Sequence, residues 1–534
     1  MVQRFNFHAG LENESRKRLK MLRYIKTRLS ALIIGFAAVF GVFITDDYGM
    51  SWDEAMQRFD NGKPVYEYVV EGNPDIYLSP DNNEKYHGAW FEFVLYGIEK
   101  TFKLTDNRSV YLMRHYLNYL LFCLGAWWFM LACKRLFAEN WVVLTGVVMY
   151  FLSPRLFADA FYNSKDIPFF VFYIGYMWTL LRFRDKQTSS NLALHGAVTG
   201  LLIGLRVSGI IVVPLTLFVI IALGFQASSD LKCYVKRVFI YIGISAAALY
   251  ICWPILWQQP FKQFTNAYIE MSHYHWQGMM IFEGKMIHSS VLPWYYLPKW
   301  IALTTPILYL IAGIAGIGFL LFEIARSPSA LFRKPEFPVI IALFFGPLLA
   351  VIFLHSTVYD GWRHLYFVYA PLLLLAVTGI DRTKQLLVRY KYGPIAGVVV
   401  LLIGITPVFV RMVKDHPHEM VYFNRAAGSS LNEIRFNYEM DYWGLSFREA
   451  IEYVAGHDHR PLIKYHSGDF PGRLTYEIMP EGIKSRMKPV EDWESPDYFI
   501  GDYRSMMKEY ECADEFYRVK VDGATICIVC RLTR

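Results

Sequence analysis

Charge is what this sequence has least of. Of its 534 residues only 19% are Asp, Glu, Lys or Arg, against 54% hydrophobic and 17% aromatic. With a positive mean hydropathy, that excludes an ordinary water-soluble globular chain of this length. Cysteine is also scarce, seven in all, and the one CxxC, Cys527 to Cys530, has no second pair, so the case for a metal finger is weak. Internal repeats and low-complexity segments are missing. So is a convincing small-residue cleavage site after the first apolar run, which is flanked by bases and reads as a retained anchor. The net charge of +7 comes from bases in short loops, where they would face anionic lipid, and calls for no nucleic acid.

What the sequence has in quantity is long apolar runs separated by clusters of charge, the pattern of a polytopic membrane protein. About eleven spans are expected, near 29–45, 111–132, 141–157, 167–182, 192–206, 208–224, 238–256, 300–322, 337–354, 366–380 and 393–411. Several fall short of the ~20 residues that a straight span needs, so some ends must be extended or some helices bent. The bases from Arg4 to Arg28 place the N-terminus in the cytoplasm, and every second loop thereafter is basic: Lys134-Arg135, Arg182 to Lys186, Lys232 to Arg237, Arg326 to Lys334 and Arg382 to Lys391. An odd number of spans then puts the C-terminus on the outer side. The expected fold class is mainly α: a cytoplasmic basic segment 1–28, a transmembrane domain 29–423, and a small α/β extracytoplasmic domain 424–534. In that last part DYWGLSFREAIEYVAGH has helical spacing of Leu445, Ala450 and Val454, and FYRVKVDGATICIVCRL reads as two strands joined at Asp522-Gly523. Cys512 can pair with Cys527 or with Cys530, or all three can be free thiols; Cys527 and Cys530, three apart on a strand, point to opposite faces.

The outside segments, 46–110, 153–166, 257–299, 355–365 and everything after about 412, are long and chemically varied. The first opens with Asp46, Asp47, Asp53 and Glu54 and later holds Tyr86-His87-Gly88 and Glu92. The next packs Arg155, Asp159, Lys165 and Asp166 into twelve residues, and Arg206 stands at the following junction. His273 and His275 read as loop histidines, LPWYYLPKW as an interfacial aromatic belt, and HSTVYDGWRHLYF holds Asp360, Arg363 and His364. Carboxylates and fixed cations gathered at a lipid–water boundary suit a lipid-linked phosphate. Arg binds phosphate through paired hydrogen bonds and Lys adds a point charge. A carboxylate among them can take a proton from an acceptor hydroxyl.

Taken in order, SWDEA, SPRLFADAFYNSKDIPF, LPWYYLPKWIALTTP, YDGWRHLYFVYAPL and HPHEMVYFN with DYWGLSFREA resemble the GT-C superfamily of membrane glycosyltransferases, in particular bacterial members related to dolichyl-phosphate-mannose–protein mannosyltransferases. The resemblance implies inverting transfer of a sugar from a polyprenyl-phosphate donor at the outer face of a bacterial inner membrane. It makes Asp53 the catalytic acid and Glu54 its partner, with Arg155, Lys165, Asp166, Arg363, His364, His87 and Arg206 as substrate-binding residues and Asp159 as a further acid. Divalent metal is left open by the resemblance, with Asp53 and Asp166 as candidate ligands. The expected partners are the lipid donor, membrane lipid, and an acceptor that is a lipid, a glycan or a protein. No outside loop is long enough for the β-trefoil of eukaryotic protein mannosyltransferases, and Tyr86-His87-Gly88 stands where those enzymes carry a His-Pro-Pro-like turn. The rival classes are a transporter or flippase of lipid-linked substrate, which would place its charges near the midplane, and a scaffold displaying the tail domain.

Overall fold

The computed structural model describes residues 28–532 except 228, 229, 273 and 275. The basic N-terminal segment up to residue 27 and the expectations for His273 and His275 lie outside the described residues. Among the described residues, eight helices are long and apolar enough to cross a membrane, or nine if one bent pair counts as a single span. The longer helices are α1 (Arg28–Asp47), α2 (Trp90–Thr101), α3 (Asn107–Leu136), α4 (Asn140–Phe151), α5 (Pro154–Tyr162), α6 (Asp166–Asp185), α7 (Ser189–Ile203) and α8 (Val207–Gln226). They continue as α9 (Leu231–Cys252), α10 (Pro260–Ser272), α11 (Tyr296–Thr304), α12 (Ile307–Arg326), α13 (Glu336–Leu354), α14 (Arg363–Leu387) and α15 (Gly393–Asp415).

Each expected span falls on helix, but three of them do not pass as straight spans, and the 300–322 run divides between α11 and α12 at Thr305-Pro306. The 141–157 run is broken by Pro154, which lacks a donor N–H and so starts α5 at a bend of 61° to α4. α7 has only 15 residues. α6 has 20 residues and is buried along most of its length, so protein neighbours replace lipid and its surface need not be uniformly apolar. α14 is central, with 89% of its apolar window buried, whereas α9 and α15 are peripheral at 11% each. α12 packs against α14 at backbone contact: a Cβ on Gly316 would sit 2.0 Å from the Leu375 carbonyl, and one on Gly379 2.0 Å from that of Ala312.

The segment between α1 and α3 is a folded cap. Glu54 to Glu71 is a helical run with π-type turns, followed by α2. Buried ion pairs fasten it down: Arg58 to Glu99 at 2.7 Å, Arg114 to Glu92, and His115 of α3 to Glu54 at 2.6 Å. Removing one partner of such a pair strands the other charge in the interior.

After α15 the chain forms a five-stranded sheet in the order β4-β3-β5-β7-β6. Strands β1 (Met279–Phe282) and β2 (Lys285–His288) make a separate hairpin between α10 and α11. β3 (Ile463–Ser467) runs parallel to β4 (Met487–Pro489) and to β5 (Tyr498–Asp502). β6 (Glu515–Val521) and β7 (Ala524–Arg531) form the expected hairpin, turning through Asp522 and Gly523 at φ 46° and 82°. The expected helix begins later than its spacing implied, at Phe447: α16 is Phe447–His457. The Asp441 carboxylate accepts N–H groups of Gly444, Leu445 and Ser446, at 3.1, 3.1 and 2.8 Å, and closes DYWGLS into a turn. Of the open cysteine pairings, the disulfide is Cys512–Cys530, and Cys527 is a buried free thiol. The LPWYYLPKW run divides: Trp294 is exposed, but Tyr296 and Trp300 are buried. The aromatic belt expected there therefore reduces to Trp294 and the half-buried Tyr295, because the helix that starts at Tyr296 turns Tyr296 and Trp300 inward.

Candidate functional site

Four separate segments bring their charges to one end of the helical bundle. Trp52-Asp53 follows α1, Lys165-Asp166 opens α6, Arg206 precedes α8, and Asp360 to His364 opens α14. Each lies at a helix start or in a short junction, where the chain leaves the apolar bundle. Asn163 caps α6, its side-chain oxygen accepting the Asp166 N–H at 2.9 Å and its amide donating to the Asp166 carboxylate at 2.8 Å.

Arg363 is the hub. Its Nη1 donates to Asp53 at 3.3 Å and to Asp166 at 3.5 Å, and its Nε to Asp360 at 3.1 Å. The guanidinium lies between the rings of Tyr359 and Trp443, 5.0 and 4.7 Å from their centroids. Asp166 also accepts from Arg206. The exposures of the three carboxylate side chains separate their roles: 19% for Asp53, 1% for Asp166 and 4% for Asp360. Asp53 is therefore the one of the three that a molecule from solution can reach.

Beside this hub lies a cavity of about 420 Å³. Its lining includes the polar side chains of His87, Lys165, Arg206 and His364 and the aliphatic ones of Ile210, Ile211, Val351 and Leu354. Glu84, which the sequence alone did not single out, tethers two of the lining residues: its carboxylate is 3.8 Å from Lys165 Nζ and 3.0 Å from His87 Nδ1. Burial works against the Glu84 charge, yet His87 and Lys165 outweigh it and hold the carboxyl well below the usual range. Burial lowers His87, with Lys165 and Arg206 acting in the same direction against Glu84, so its imidazole is neutral at pH 7. The fixed positive charge on the lining is thus carried by Lys165 and Arg206.

Two of the expected site residues are engaged elsewhere. Glu54 accepts the Ser51 N–H at 2.6 Å and pairs with His115, which makes it a brace of the cap. Arg155 does not line the cavity: its Nε donates to the Tyr422 carbonyl at 3.0 Å and its guanidinium stacks on Trp300 and Phe423. Asp159 accepts the Trp443 indole N–H at 2.8 Å. Among the described residues, no group of three or more His, Cys, Asp or Glu side chains is placed to hold a metal ion. Asp53 and Asp166, the two candidate ligands, both face Arg363. A guanidinium fills the cationic position between them, so the residues do not fit a divalent ion. Besides Glu84, the sequence reading assigned no site role to Asp360, Trp443 or Arg504. Asp360-Gly361 carried a local signal, since both residues have positive φ, 53° and 68°.

No family model matches the chain, and no curated protein matches it. Solved structures do. The oligosaccharyltransferase of Archaeoglobus fulgidus in its apo form superposes with a TM-score of 0.52 at 10% identity, over 90% of this chain and 70% of the other. ArnT from Cupriavidus metallidurans in the apo state gives 0.47 at 14% identity, over 93% and 97%. The arabinofuranosyltransferase AftD from Mycobacteria gives 0.46 at 11% identity, over 93% and 39%. At such identities the likeness is one of fold, and of these three the oligosaccharyltransferase carries the argument. The chain shares the fold of that oligosaccharyltransferase. None of the three is a protein mannosyltransferase.

Proposed function

We propose that this chain is an inverting glycosyltransferase that moves a sugar from a polyprenyl-phosphate donor to an acceptor hydroxyl. The carrying observation is the mixed lining of the cavity, in which Lys165 and Arg206 share the wall with aliphatic side chains, beside the hub where Arg363 holds the reachable Asp53 carboxylate. The two cations suit a phosphate and the aliphatic side chains the first isoprene units. A nucleotide sugar would leave those aliphatic side chains unused. The shared fold with an oligosaccharyltransferase supports the same class of reaction.

In this reading Asp53 removes the proton from the acceptor hydroxyl as its oxygen forms a bond to the anomeric carbon. The bond from that carbon to the phosphate oxygen breaks on the opposite face, and polyprenyl phosphate leaves with the bonding pair. Lys165 and Arg206 are aimed at the charge that grows on the leaving phosphate, which is where fixed cations lower a barrier most. Arg363 orients the Asp53 carboxylate. Asp166 holds Arg206 and Arg363 together and does not meet substrate. The acceptor is a lipid, glycan or protein hydroxyl. The reaction sits at the outer face of a bacterial inner membrane, with the C-terminal sheet on the same side.

Purified protein in proteoliposomes, given a radiolabelled polyprenyl-phosphate sugar and a panel of lipid, glycan and peptide hydroxyl acceptors, should transfer label. Asp53→Asn should lose it by about 10²- to 10⁴-fold, the usual worth of a positioned base. Movement of intact donor between leaflets without transfer would establish the transporter reading instead.

A further inference from the structure

The C-terminal sheet turns its working edge toward Asp53. Open α/β sheets place their ligands at the carboxyl ends of parallel strands. Here the loops leaving β3 and β5 carry Phe470 and Arg504, and both reach Trp52, the neighbour of Asp53. The Phe470 and Trp52 ring centroids are 5.8 Å apart, and the Arg504 guanidinium lies 4.9 Å above the Trp52 ring. Arg504 Nη2 donates to Asp360 Oδ1 at 2.8 Å, while Arg363 Nε donates to Asp360 Oδ2 at 3.1 Å. One buried carboxylate is thus gripped by an arginine from each domain.

Asp360 sits at φ 53°, which is unfavourable for a residue with a Cβ, and such a conformation persists only where its surroundings over-determine it. The two arginines supply that determination. Burial raises the other acids near Arg504, Glu439, Asp469 and Asp502, toward their neutral forms, and Arg504 hydrogen-bonds to Asp360. Arg504 is not among the residues that line the cavity; its hydrogen bond goes to Asp360. It bears on Asp53 through a chain of contacts, Arg504 to Asp360 to Arg363 to Asp53.

We propose that Arg504 is a positioning residue for sugar transfer: by fixing Asp360 it fixes the Arg363 guanidinium and hence the Asp53 carboxylate. The C-terminal domain is then part of the active centre. This rests on the reading of Asp53 as the base.

The test compares R504Q, R504K, D360N and the double variant R504Q/D360N in full-length protein in proteoliposomes. R504Q should lower kcat about 10- to 100-fold, as expected for a displacement near 1 Å at the reacting groups, with donor KM and polyprenyl-phosphate affinity unchanged. R504K should recover part of the loss. The double variant should be no slower than D360N, because both changes cut one chain of contacts. Full kcat in R504Q, a loss confined to donor KM, or losses that multiply in the double variant would each overturn the proposal. If R504Q does not fold, R504K decides: a lowered kcat with unchanged donor KM upholds the role, and wild-type kcat marks Arg504 as merely structural. Asp53→Asn separates the two ideas, since full transfer by that variant removes the base assignment itself, whatever Arg504 does.

Discussion

The Arg363 guanidinium stands between Asp53 and Asp166, 3.3 Å from one carboxylate and 3.5 Å from the other, and clamps an acid from the cap after α1 to an acid at the start of α6. A planar, forked cation can serve carboxylates on several sides at once, whereas an ammonium is a point charge. Arg363→Lys is therefore expected to keep the protein folded while lowering kcat about 100-fold, because Asp53 loses its orientation. Arg363→Gln is harsher. It leaves Asp166 and Asp360, both buried, short of a counter-charge, and removing one member of a buried pair costs about 3–5 kcal/mol. Transfer kinetics together with thermal unfolding in detergent separate the two variants.

Lys165 and Arg206 line the cavity while Arg155 does not, which divides three arginine and lysine residues that look alike in sequence. Lys165→Ala and Arg206→Ala should each weaken binding of polyprenyl phosphate by about 10- to 100-fold, the loss of one charge-assisted contact of about 1.5–3 kcal/mol. Arg155→Met should leave that affinity unchanged, because its guanidinium is stacked on Trp300 and Phe423. Titration with the phosphate alone, without sugar, reads this directly. Equal losses at all three positions would return Arg155 to the phosphate site.

The contrast shows what the sequence could and could not reveal. In a chain this apolar, ionised side chains next to the spans stand out, so Asp53, Lys165, Asp166, Arg206, Arg363 and His364 were legible as a group, and the cavity and the Arg363 hub gather all of them. Which of their neighbours turned inward was not legible. Arg155 and Lys165 share one segment, but α5 bends by 61° and carries Arg155 to Tyr422, a partner 267 positions away. Arg504 lies in a stretch of soluble composition, where a base looks like ordinary surface, and its partner is 144 positions distant. Glu84 was hidden for the opposite reason: many acids crowd the first outside segment, and only folding shows that this one meets Lys165. The helices followed apolarity closely except for α6, where burial in protein replaces contact with lipid.

His416 ties the end of α15 to the end of α1, its Nε2 2.9 Å from Asp47 and its Nδ1 2.8 Å from Glu419. Burial lowers its pKa, but hydrogen bonds and charge from Glu419 and Asp47 prevail and lift it from 6.5 to about 9. A raised value in the folded chain means that the contribution to stability is complete below about pH 6.5 and disappears as the pH rises through about 9. The midpoint of thermal unfolding should fall by a few degrees across that window. His416→Gln should flatten the fall and start from a lower midpoint at pH 6.

The backbone contact between α12 and α14 sets the position of the whole site, because α14 begins at Arg363. Gly316 and Gly379 permit it, each lying where a Cβ would meet a carbonyl oxygen of the facing helix at 2.0 Å. Small residues at such crossings allow the close packing that holds membrane helices together. Gly379→Ala must push the helices apart, because the obstacle is backbone and no side-chain rotation relieves it. The expected cost is about 1–3 kcal/mol, typical of overpacking a filled interior. Gly318 is the control: on α12, two residues past Gly316, it has nothing within 4 Å of an added Cβ, so Gly318→Ala should leave unfolding unchanged or raise its midpoint slightly through better helix propensity. A Gly379→Ala protein as stable as wild type would show that α12 and α14 are not in backbone contact, and the placement of Arg363 at the end of a fixed helix would lose its support.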